Sequence, residues 1–97
     1  MAREIIWSPE AEITFQQIVE YLQAEWSESD VENFVRKTDQ IISLIRLHPL
    51  MYRKTTKPDV HEVLVSKQNL LVYKVYPARI VLITFWDARQ NPRTKKF

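Results

Sequence analysis

Near its middle the chain changes the period on which apolar residues recur, and that switch restricts the fold more than any other feature. In the first half Ala11, Phe15, Ile18 and Leu22 are spaced by four, three and four residues, with Val19 and Trp26 widening the stripe. This is the repeat of an amphipathic helix, predicted over residues 9–26. A second stripe runs Val31, Phe34, Val35, Ile41, Ile42 and Ile45, with Thr38 at its central position. From residue 61 the helical repeat is gone. Residues 61–65, 70–76 and 80–86 are short runs rich in β-branched and aromatic side chains. The connections at 66–69 and 77–79 are turn-length, so the three runs form an antiparallel meander.

Punctuation along the chain agrees with this division. Residues 3–7 read as a first strand that breaks at Ser8-Pro9, a hydroxyl N-cap followed by proline at the first helical position. Glu10 and Glu12 complement the positive end of that helix. Ser29-Asp30-Val31-Glu32 has the form of a capping box and predicts the start of the second helix. Pro49 ends it, with His48 at the negative end of the dipole as a capping residue. Residues 50–59 form a cationic loop with Arg53, Lys54 and Lys57. The predicted order is β-α-α-β-β-β, one domain over residues 1–97. Each helix carries a single apolar stripe, so the pair must lie on something. The predicted fold is α+β, a helical hairpin packed on one face of a twisted antiparallel sheet that the first strand joins.

Composition removes several classes of chemistry. The chain has no glycine, which excludes Gly-rich phosphate cradles and leaves any positive φ to Asn or Asp, Asn69 being one candidate. It has no cysteine and two histidines without metal-ligand spacing, so neither a metal nor another cofactor is expected. No apolar stretch approaches a membrane span and the first residues have no leader-like apolar run, which predicts a soluble, cytoplasmic protein. Charge is divided unevenly. Residues 1–45 hold nine acids and three bases, whereas residues 46–97 hold three acids and eleven bases. The basic half suits a polyanion or an acidic partner.

Taken together, WSPEAEITFQQIVEYLQAEWSESDVENFV, LIRLHPLMYR and LLVYKVYPARIVLITFWDARQNP resemble the RelE/ParE family of toxins from bacterial type II toxin–antitoxin modules. The resemblance covers nearly the whole chain. The stretch from Tyr21 to Trp26 is similar to the end of the first helix in the ParE-like branch. ParE-like members poison DNA gyrase by protein contact, and RelE-like members are ribosome-dependent mRNA interferases. The resemblance therefore implies a toxin neutralised by a cognate antitoxin, with gyrase as target on the first reading and ribosome-bound mRNA on the second. It implies contact with operator DNA only through the antitoxin, and no membrane.

Nuclease members place lysines on the first meander strand, an arginine on the next, and an arginine after the last. Here those positions fall near His61 and Val63, at Leu70, and at Arg89. His61 and Arg89 are the catalytic candidates, and only on the nuclease reading, since attack by a 2′-OH needs a base and a charge stabiliser. Tyr52, Arg53, Lys54, Lys57, Arg89 and Arg93 are the candidates for target or antitoxin binding. The antitoxin is expected to contribute an acidic or amphipathic segment, as a helix or an added edge strand, over Arg53, Lys54, Arg89 and Arg93. A third reading is a non-toxic RNA-binding module that uses the basic sheet face, with salt-dependent affinity.

Overall fold

The structure, a computed structural model, describes residues 3–87. Strand β1 (Glu4–Trp7) leads directly into helix α1 (Pro9–Glu25) through Ser8. The Ser8 hydroxyl works in both directions. It accepts the Ala11 amide at 3.0 Å, capping the helix, and donates to the Ile83 carbonyl at 2.8 Å, tying the helix start to a distant strand. Ser8→Ala is therefore expected to lower stability by about 1–2 kcal/mol in urea denaturation, the range for a lost helix cap and a lost long-range hydrogen bond. A loss below about 0.3 kcal/mol would contradict that double role.

Helix α2 (Glu28–Leu47) follows after only two residues. Its capping box is Ser27 with Asp30, two residues earlier than the Ser29–Glu32 pair that the sequence suggested. Asp30 Oδ2 accepts from the Ser27 amide at 3.1 Å and from its hydroxyl at 2.7 Å, and the Asp30 amide donates to Ser27 Oγ at 3.2 Å. These bonds to the charged form, the side-chain hydroxyl first, hold the Asp30 carboxyl below its usual range. The stripe of α2 buries Phe34, Thr38, Ile41 and Ile45. Thr38 is tolerated there because its hydroxyl donates to the Phe34 carbonyl at 2.8 Å. Trp26, expected within the stripe of α1, is the C-cap residue and stands in solvent.

The rest of the described chain is β2 (Arg53–Lys54), β3 (Val60–Leu64), β4 (Asn69–Val75) and β5 (Arg79–Asp87). Five strands form one sheet in the order β1-β5-β4-β3-β2. The β3–β4–β5 meander is antiparallel as expected, but β1 pairs with β5 in parallel, so the sheet is mixed. Strand β1 has to deliver the chain to α1, which crosses β5, and the Ser8 bonds at residues 82 and 83 set that direction. Strand β2 was expected to be loop; two residues pair at the edge with His61 and Glu62. Positive φ occurs at Asp59 (61°), not at Asn69, which begins β4. The register slips between Val72 and Tyr73, and beside that bulge the Phe85 amide donates to Thr14 Oγ1 of α1 at 3.0 Å.

One face of the sheet carries both helices. Leu71, Tyr73, Ile80, Leu82, Phe85 and Val65 meet Ala11, Phe34, Ile41 and Ile45 there. Trp7, Phe15, Phe34 and Phe85 form a chain of ring contacts, with centroids 5.3–5.6 Å apart. No described helix is long and apolar enough to cross a membrane.

Candidate functional site

The segment between α2 and β2 is pinned from beneath by two buried polar side chains. His48 caps α2, its amide bonded to the Leu44 carbonyl at 2.8 Å, and the Met51 amide turns back to the His48 carbonyl at 3.2 Å. Pro49 is buried, and its carbonyl accepts the Tyr73 hydroxyl at 2.8 Å. His61 Nδ1 lies 3.0 Å from the Tyr52 carbonyl, which assigns the proton to Nδ1. The His61 ring also stacks on Tyr73, with centroids 5.4 Å apart and planes within 15°. Burial, reinforced by nearby Tyr52, pushes the Tyr73 phenol well above its ordinary range.

Beyond these anchors the chain becomes cationic and exposed. Arg53 Nε stands 3.8 Å from Glu62 Oε1, with the guanidinium in solvent. A pair so exposed on one side is screened and contributes under about 1 kcal/mol. Lys54 follows on the edge strand. Lys57 is set in a closed turn: the Thr55 amide and hydroxyl both reach the Val60 carbonyl at 2.9 Å, and the Lys57 amide reaches Thr55 Oγ1 at 3.1 Å. The structure thus gathers Tyr52, Arg53, Lys54 and Lys57 at one edge of the sheet. His61 lies beneath them, 4% exposed, with its ring on the core side. Arg89 and Arg93 lie outside the described residues.

A second feature was not anticipated. The hairpin overhangs the sheet and leaves an open cleft of about 860 Å³ between the two helices, the β3–β4 turn and the end of β5. Ile18, Tyr21, Leu22, Trp26, Phe34 and Phe85 supply its apolar wall, and Asp30, Lys37 and Lys67 stand among its polar lining. Tyr21 and Trp26 fit a helical repeat equally well whether buried or exposed, so spacing alone did not reveal them as cleft residues.

The profile of the family described as "ParE toxin of type II toxin-antitoxin system, parDE" matches residues 5–92. The chain belongs to this family. It is the toxin component of a type II toxin–antitoxin module. No curated protein sequence matches it. Among solved structures the toxin is similar to the chromosomal ParDE system from P. aeruginosa, at TM-score 0.77 and 10% identity over 91% of this chain and 98% of that one. It is also similar to the YoeB dimer from Staphylococcus aureus, at TM-score 0.61 and 16% identity, covering 87% of this chain and 94% of that one. The E. coli DinJ–YafQ toxin–antitoxin complex aligns at TM-score 0.60 and 12% identity, over 90% and 93% of the two chains. At such identities the likeness concerns the fold.

The toxin's strand parity shows where the nuclease-like positions point. Val63 and His61 share the helix-bearing side of the sheet with Leu71 and Tyr73. Leu70 belongs to the opposite side, in register with Leu64 and Trp86. Three of the four positions are thus apolar or withdrawn into the core.

Proposed function

We propose that this toxin acts on DNA gyrase by protein contact and makes no cut of its own in RNA, with a cognate antitoxin holding it inactive. The observation that carries the reading is the placement of His61. A general base must come within hydrogen-bond reach of the hydroxyl it deprotonates. His61 instead has Nδ1 committed to the Tyr52 carbonyl, its ring against Tyr73, and almost no exposed surface. Val63 and Leu70 are apolar where the nuclease pattern has cations, so these two positions offer a developing phosphorane charge no stabilisation. A surface that acts by contact needs none of these groups.

Purified toxin is expected to abolish ATP-dependent supercoiling by gyrase while leaving translated mRNA intact in a cell-free reaction. Mapping 5′ ends in that reaction separates the two readings. Cuts phased with codons that disappear in Arg89→Ala would replace this proposal with the ribosome-dependent mRNA interferase. Unimpaired gyrase at saturating toxin would refute it directly.

A further inference from the structure

The sheet face turned away from the helices is drier than an uncovered face should be. Leu71, Val72 and Tyr73 are consecutive on β4 and all 0% exposed. Leu71 and Tyr73 belong to the helix-side core, so Val72 between them points to the other side. In the β3–β4 register Val60, Glu62 and Leu64 share that side with Lys74, Val72 and Leu70. Val60 is 4% and Glu62 8% exposed, and neither Val60 nor Val72 belongs to the helix-side core. An antiparallel sheet with one face in water alternates buried and wet residues along its central strands. Here β4 is closed on both faces, although both helices lie on one of them. Among the described residues no helix or strand is layered on the other.

The chain itself offers a cover of matching charge. Strand β5 closes at Asp87, whose register partner is Asn69 at the start of β4. Ten residues, 88–97, follow it, with Arg89, Arg93, Lys95 and Lys96 and no acidic side chain. Glu62 is on β3, two strands from β5 and so about 10 Å across the sheet. Ten residues extend to about 33–36 Å, enough to cross β4, reach Glu62 and pass over Val60 and Val72. A carboxylate withdrawn from water needs close cationic partners. Arg53 Nε, at 3.8 Å with its side chain 81% exposed, meets only part of that need.

We infer that residues 88–97 fold back across the helix-free face of the sheet, with an arginine of that segment on Glu62. The inference is independent of the target on which the toxin acts. Arg89 or Arg93 then serves the toxin's own sheet, and the chain's own cations close the face that a polyanion would otherwise use. A sheet closed in this way differs from that of a module that binds RNA across it.

The test uses the full chain, which has no cysteine, so that a single pair can be introduced. Leu64→Cys with Asn91→Cys puts one thiol on this face and the other four residues beyond Asp87. Ile13→Cys with Asn91→Cys is the control, at a comparably exposed site on α1. Each variant is checked for native circular dichroism. In dilute oxidation the first pair is expected to close an intramolecular disulfide roughly 10-fold or more faster than the second, because bonding needs Cα atoms within about 7 Å. Equal rates overturn the inference. So does a bond that forms only between two molecules, which gives the face to a second copy. A double-mutant cycle reads the ion pair. Arg89→Ala with Arg93→Ala should lower the urea midpoint of the wild type, and should lower that of Glu62→Gln by much less. Shifts that simply add overturn the contact with Glu62.

Discussion

Phe85→Ala is expected to lower the free energy of unfolding by about 3–5 kcal/mol, the usual cost of truncating a buried phenylalanine. A domain of this length has roughly 5–15 kcal/mol in all, so the variant should be near the limit of folding. The size of the effect follows from what the ring joins. Phe85 lies 5.6 Å from Trp7 of β1 and 5.3 Å from Phe15 of α1, and Phe15 continues to Phe34 of α2 at 5.4 Å. Removing it empties the junction of both helices with two strands. Such ring pairs add about 0.5–1.5 kcal/mol each beyond area burial. In urea denaturation the midpoint should fall with little change in slope. Val35→Ala, at an exposed site on α2, should move it by less than about 0.5 kcal/mol. A Phe85→Ala loss below about 1 kcal/mol would mean that the aromatic cluster is not the keystone described.

The parts of this fold that were legible in the sequence are those decided locally. Ser8-Pro9 caps its own helix, and Phe34, Thr38, Ile41 and Ile45 mark the buried face of α2 by spacing alone. What was misread depends on competition or on distant partners. Two capping-box patterns overlap at residues 27–32, and the earlier one operates, with Asp30 at the third helical position where the usual pattern has glutamate or glutamine. The parallel course of β1 is fixed by bonds to residues 82 and 83, more than seventy positions away. Asp59 takes positive φ where β3 begins, and its carbonyl accepts the Val75 amide at 2.9 Å. The candidate site divided in the same way. Arg53, Lys54 and Lys57 were visible as a run of charge, whereas the burial of His61 follows from strand parity. That parity flips with a shift of one residue in register.

Tyr73→Ala should cost about 3–5 kcal/mol, comparable to loss of Phe85, since the side chain is fully buried beneath the candidate site. Tyr73→Phe isolates the hydroxyl. It leaves the Pro49 carbonyl buried without its donor and should cost about 1–3 kcal/mol at pH 8. Amide exchange across residues 49–54 should quicken in both variants, because the same bond positions the turn. The pH dependence separates the hydroxyl from the ring. Burial, with Tyr52 adding to it, raises the folded phenol above its ordinary value near 10, so the unfolded chain loses that proton first. Below about pH 10 the hydroxyl's contribution is fully present. As pH rises further the unfolded state binds fewer protons, and stability falls by up to about 1.4 kcal/mol per pH unit from this group. Phenylalanine has no proton to lose. The gap between wild type and Tyr73→Phe should therefore narrow between pH 8 and pH 11, and a gap that stays constant would show that the phenol titrates alike in both states.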